Sequence, residues 1–243
     1  MFSFKDFIAE QKTTLEYHSQ LNPKIWDKDE LIPEVKKHLL EIAKAWQKFA
    51  NIPAKAVKDI LFTGGNANYN YTQFSDIDLH LLVDKKQVAD CEKKILDDYL
   101  KDKKNLWAVN HDIHIYGYNV ELYAQDIGEA TSSNQGVFSL KQNKWLKKPE
   151  KVLVDLNDKF LLKKIKNLKD MIDYLISSKC DDMNELESLK KKLRDMRAAG
   201  IQKSGEFSVE NLAFKELRNR GYLDKLTNYI KTIEDQKFGL YNK

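Results

Sequence analysis

Two aspartates, Asp76 and Asp78, stand two residues apart inside the apolar run SDIDLHLLVD (75–84). A glycine pair, Gly64 and Gly65, closes the preceding apolar run VKDILFTGG (57–65), with ten residues between the pair and Asp76. Aspartate is depleted in β-strands. Here Ile77, Leu79, Leu81 and Val83 alternate with Asp76, Asp78 and His80, which predicts a half-buried strand carrying all three polar residues on one face. Carboxylates at i and i+2 project roughly 7 Å apart. Both stay ionised only in water or against a cation. Magnesium suits such a site, manganese being the alternative, because it takes a few carboxylates and leaves positions for water and substrate oxygens. Two divalent ions about 3.5–4 Å apart can bridge a phosphate. Without side chains, a Gly64-Gly65 turn lets backbone N–H groups approach a triphosphate. Phosphoryl-type transfer depends mainly on positioning and charge neutralisation, which is what this pairing of loop and strand offers.

The elements that must position these groups read as follows. Residues 1–20 suggest a short amphipathic helix with apolar Phe2, Phe4, Phe7 and Ile8, and LNPKIWDKDELIPEV a proline-punctuated connection. After Pro33, Val35, Leu39, Ile42, Ala43 and Trp46 show helical spacing. A strand over VKDILFTGG, the strand over SDIDLHLLVD and a helix over 87–103 come next. LWAVNHDIHIYGYNVELYAQD is expected to form a hairpin turning at Gly117-Tyr118-Asn119. From about 150 the pattern is helical: apolar positions recur through 154–178, 182–198 is a charged helix, and Ser208 caps a helix stopped by Gly221. The expected class is α+β, a small mixed sheet with flanking helices over 1–150 and an all-helical half over 151–243.

Composition fits a soluble globular protein, at 42% hydrophobic and 32% charged residues with a formal net charge of +4. No apolar run is long enough to span a bilayer, and the N-terminus lacks the apolar core of a secretory signal. Cys91 and Cys180 match no metal-ligand spacing and fall in helical patterns, so reduced structural thiols and a cytoplasmic location are expected. Lysines cluster in 140–151, 159–169 and 189–197, which is compatible with solvated helix faces or with a phosphate-attracting cleft.

The glycine pair followed after ten residues by Asp-Ile-Asp resembles the signature of the nucleotidyltransferase superfamily, the DNA polymerase β-like fold. The longer string, with LNPKIWD, GGNANYNYTQFSDIDLHLLVD, HDIHIYGYNVELYAQD and GEFSVENLAFKELRNRGYLDKL, is similar to predicted nucleotidyltransferases of tailed bacteriophages. The resemblance implies transfer of a nucleoside monophosphate from an NTP such as ATP to an acceptor, which could be an RNA end, a protein or a small hydroxyl compound, with release of pyrophosphate. For a phage protein the compartment would be the host cytoplasm. The resemblance also implies that Gly64 and Gly65 form the phosphate-binding turn, followed by Asn66, and that Asp76 and Asp78 are the metal pair. A third carboxylate is implied on a later strand. Glu121 is the first choice, as metal ligand and catalytic group, with Asp112 and Asp126 as rivals.

Other residues carry two readings each. His80, on the aspartate face, is either a hydrogen-bonded neighbour of the cleft or a substrate contact. Tyr69 and Tyr71 lie in the loop before the metal strand, and Tyr71 is a candidate for stacking on a base. His111 and His114 complete no zinc set. Asn211, Lys215 and Arg218 share one helix face. In the superfamily the helical domain closes the cleft, so Asn211 and Lys215 are taken as nucleotide contacts, with Lys141 and Lys144 as weaker candidates. Two rivals to catalysis remain: a non-catalytic nucleotide- or signal-binding module, as in anti-defence, and a virion-associated interaction protein.

Overall fold

The computed structural model describes residues 13–129 and 135–239. They fall into two units, 16–152 and 153–239, the second including the leading residues 13–15. The expected helix over 1–20 lies largely outside the described residues, and 13–20 are not helical. Residues 13–15 belong with the helices rather than with the sheet. Leu15 is buried in the helical core, and the backbone N–H and hydroxyl of Thr14 donate to Glu216 at 2.8 and 2.6 Å.

The sheet unit opens with a small hairpin, β1 (Trp26–Asp27) and β2 (Glu30–Leu31), where the sequence suggests only a connection. Helix α1 (Pro33–Phe49) follows, with proline in its first turn and Val35, Leu39, Ala43 and Trp46 buried at helical spacing. Then come β3 (Val57–Thr63), β4 (Ile77–Val83), α2 (Lys93–Asn110), β5 (His114–Ile115), β6 (Tyr118–Asp126), β7 (Val137–Ser139) and β8 (Lys144–Lys147). One six-stranded mixed sheet results, in the order β5-β6-β4-β3-β7-β8. Among the described strands only β4 and β6 are parallel; the other pairs of this sheet are antiparallel.

Burial follows the alternation of the sequence. Ile77, Leu79, Leu81 and Val83 are fully buried and share one core with Ile60 and Phe62 of β3 and Val120, Leu122 and Ala124 of β6. Asp78 and His80 take the opposite face, where they are half-buried. Full burial of each large aliphatic side chain contributes about 1.5–3 kcal/mol. That is enough to fix the register, because a one-residue slip would bury the aspartate instead.

Two boundaries differ from expectation. Helix α2 starts six residues later than position 87 and runs through Asn110, absorbing the start of the expected hairpin. Its buried Trp107 continues the stripe of Leu96 and Leu100 and meets Phe49 edge-on at 5.3 Å, so the helical register outcompetes an extended one. The hairpin turns at Tyr116-Gly117, both at positive φ, as a two-residue loop requires. Tyr118 is buried and pairs with Ile115 instead of sitting in the turn.

The helical unit holds α3 (Lys159–Ser177), α4 (Met183–Ser204), α5 (Val209–Asn219) and α6 (Tyr222–Phe238). Asp158, Asp182 and Ser208 cap the first three through their side-chain oxygens. Gly221, at φ 74°, breaks the chain between α5 and α6. A second core of Leu161, Ile165, Leu168, Ile172, Leu186, Leu193, Leu217 and Leu226 holds them together. The chain is thus α+β, with a mixed sheet and flanking helices followed by an all-helical C-terminal half. Cys91 and Cys180 are free thiols, both just outside helices rather than within them. No described helix is long and apolar enough to cross a membrane.

Candidate active site

Gly64 ends β3 at φ 81° and ψ −165°, a conformation essentially confined to glycine. A 3-10 turn over Gly65–Ala67 follows, with the N–H groups of Ala67 and Asn68 donating to the carbonyls of Gly64 and Gly65. The absent side chain matters here. A Cβ on Gly64 would lie 1.6 Å from Oδ2 of Asp78, so the carboxylate occupies the room that glycine leaves. Gly65 is less constrained: a Cβ there would meet the Ser75 hydroxyl at 3.0 Å.

Asn66 is engaged within the fold by its side chain. It is fully buried, and its amide donates to the carbonyl of Asp76 at 3.0 Å and, more weakly, to that of Ser75 at 3.4 Å. Its side-chain oxygen accepts from Asn22 at 2.7 Å, and its backbone carbonyl accepts from the Trp26 indole at 2.7 Å. Trp26 is itself stacked between Phe62 and Trp145. Asn66 therefore fastens the glycine turn to the mouth of β4, directly at Asp76. Asn68 does similar work, donating to the Gly64 carbonyl at 2.9 Å and accepting from the Gly136 N–H. Tyr71 also differs from expectation. Its ring is buried and stacked on His18 at 3.9 Å, so it stabilises the loop from within rather than offering a free face to a base. Desolvation raises its phenol pKa.

The parallel pairing of β4 and β6 decides which carboxylates meet. Asp78 pairs with Glu121, His80 with Tyr123, and Val83 with Asp126. Across the antiparallel pair, Thr63 of β3 stands opposite Asp78. Thr63, Asp78 and Glu121 thus form one row on one face, about 4.8 Å from strand to strand. Asp76 lies just before β4, half-buried at the end of the strand. The rival carboxylates lie elsewhere. Asp112 is in the loop after α2 rather than in a strand, its side chain 91% exposed and 3.4 Å from His114. Asp126 is at the far end of β6 on the alternate face, accepting the backbone N–H groups of Lys85 and Ile127.

Glu121 has a partner, Lys104 of α2, at 3.0 Å. Among the described residues no cluster of three or more carboxylate, histidine or cysteine side chains is assembled that could hold a metal ion. The donor types, all carboxylates, nevertheless suit a hard cation.

His80, one row further on, donates Nδ1–H to the Gln125 amide oxygen at 2.9 Å, the tautomer following from Gln125 donating to the Glu129 carbonyl at 3.1 Å. Burial lowers the His80 pKa, which favours the neutral ring. A cleft of about 750 Å³ opens beside β6, lined by Lys85, Lys93, Lys101, Lys104 and Tyr123 among others; its walls include neither Gly64 nor Asp78.

Asn211 and Lys215 belong to the helical unit and are engaged there. Asn211 is fully buried, donating to the Glu206 carbonyl at 2.6 Å and accepting from Arg197 at 3.1 Å. Lys215 pairs with Glu206, both side chains about 15% exposed or less. Lys141 donates to the carbonyls of Val57 and Lys58.

No protein-family model matches the sequence, and no curated protein matches it. Among solved structures the chain is similar to a STING-associated CdnE c-di-GMP synthase from Capnocytophaga granulosa, at 14% identity and a TM-score of 0.23 over 85% of this chain and 83% of that one.

Proposed function

We propose that the chain transfers a nucleoside monophosphate from an NTP to an acceptor hydroxyl, releasing pyrophosphate. One observation carries this reading: the β4–β6 register sets Glu121 beside Asp78, while the Asp78 carboxylate lies against the bare backbone of Gly64. A phosphate chain resting on the Gly64-Gly65 turn would then meet backbone N–H groups on one side and carboxylates on the other.

Asp76, Asp78 and Glu121 would hold magnesium or manganese. Such an ion, when bound, supplies charge neutralisation for the phosphates. The chain's own residues do the rest. The turn seats the triphosphate, Asn66 keeps the turn fixed to Asp76, and Glu121 can take the proton of the acceptor hydroxyl. The acceptor oxygen bonds to the α-phosphorus, the bond from that phosphorus to the α–β bridging oxygen breaks, and pyrophosphate leaves with the electron pair. The acceptor is an RNA end, a protein or a small hydroxyl compound.

A second reading, a module that binds a nucleotide or signal without turnover, is favoured by the Lys104–Glu121 pair, since Glu121 is already neutralised there. Incubation with α-labelled and γ-labelled NTPs, magnesium and a cell lysate separates the two. Transferred α-label with free pyrophosphate supports the enzyme; nucleotide retention without pyrophosphate supports the binding module.

A further inference from the structure

We infer that Lys104 is an internal counter-ion that holds Glu121 in the metal-free site, so that cation binding requires the Lys104–Glu121 pair to open. This rests on the proposed metal role of Asp78 and Glu121. Those two carboxylates occupy directly paired positions on adjacent strands, about 4.8 Å apart at the backbone. Two anions in that arrangement repel unless a positive charge is close. Lys104 brings one to Glu121, reaching from α2 at 3.0 Å.

The pair is built to exchange. Its side chains are 34% and 43% exposed, so neither ion would have to be stripped of water to separate. Lys104 also lines the cleft beside β6, which gives its ammonium a solvated place to go. Lys85, which lines the same cleft, is paired with Asp97 at 2.6 Å, with its side chain 12% exposed. Lys104 is thus a lysine of that cleft that reaches the carboxylate row.

Lys104 is accordingly a positioning residue, and its effect should appear in cation binding without any turnover. Free Mn²⁺ is titrated with the full-length protein by electron paramagnetic resonance, without nucleotide. Lys104→Met removes the competing charge and keeps the stem, so Mn²⁺ should bind about tenfold tighter than to wild type. Lys104→Arg keeps the charge and should stay within about twofold of wild type. Lys104→Met should also melt lower without metal and gain more on adding Mn²⁺. If Lys104→Met does not fold, Lys104→Gln replaces it with the same expectation. Adding Glu121→Gln to Lys104→Met should erase the gain. Equal or weaker Mn²⁺ binding by Lys104→Met, or a gain that survives Glu121→Gln, overturns the counter-ion role while leaving the metal site standing. No Mn²⁺ binding by any form overturns both.

Discussion

The Asp78 carboxylate fills the space that a side chain on Gly64 would need: a Cβ built there lies 1.6 Å from Oδ2. The two residues are fourteen positions apart, and the closed loop between them is what brings them together. Gly64→Ala should therefore displace Asp78 as well as strain a backbone at φ 81°, at a cost of about 1–3 kcal/mol from the strain alone. Gly65→Ala meets only a serine hydroxyl at 3.0 Å, which can rotate. The expected outcome is loss of turnover in Gly64→Ala and its retention in Gly65→Ala, checked by pyrophosphate release and thermal melts. Equal damage in both would mean that the turn, rather than the fit to Asp78, is what matters.

The carboxylates can be ranked by the same assay. Glu121→Gln should lower kcat strongly with a modest change in KM, because the lost charge serves the reacting centre. Asp126→Asn and Asp112→Asn should stay near wild type, one on the alternate face of β6 and the other in an exposed loop. A crippled Asp126→Asn beside a mild Glu121→Gln would reverse the assignment.

Asn66→Ala should act through structure. It leaves the Asn22 amide and the Asp76 carbonyl without their buried partner, a loss of about 1–3 kcal/mol for each unsatisfied group. Urea unfolding should show the loss directly. Turnover per folded molecule should fall with little change in nucleotide affinity, since the side chain is fully buried. A large loss of affinity at unchanged stability would make Asn66 a substrate contact after all.

The helical unit has its own pH signature. Glu210 of α5 is paired with Lys164 of α3, and that hydrogen bond, acting against partial desolvation, lowers its carboxyl pKa. A depressed folded pKa contributes stability that is fully present above the unfolded value of about 4.3 and is lost as pH falls through the folded value. Glu210→Gln should thus destabilise the protein at neutral pH and converge on wild type in acid. Unfolding curves for the two that run parallel across about pH 3 to 6 would deny the pair this role.

Much of the sheet was legible because strict alternation leaves a strand little choice: with four aliphatics on one side of β4, Asp78 and His80 had to take the other. The turn at Gly64 was legible for a similar local reason. What stayed hidden is non-local. Nothing in the sequence says that β6 lies parallel to β4, the register that sets Glu121, the first choice among the three carboxylates, opposite Asp78. Asn66 and Tyr71 read as loop residues, yet Asn22, Trp26 and His18, some forty to fifty positions away, fold over them. Helical spacing put Asn211 and Lys215 on one face but was silent on what that face meets, which is Glu206 and Arg197. Lys104 had no local signal at all; it sits in a lysine-rich helix, and only packing singles it out.

The central claim is that the carboxylates of β4 and β6 serve nucleotidyl transfer, and single-turnover transfer from α-labelled NTP tests it most directly. With magnesium and the cell lysate as acceptor source, wild type should move the α-label onto an acceptor and release one pyrophosphate per transfer. Asp78→Asn, which keeps the shape and removes the charge, should abolish both while its melting curve stays close to wild type. Absence of pyrophosphate from every NTP tried, or an Asp78→Asn protein as fast as wild type, would contradict the account.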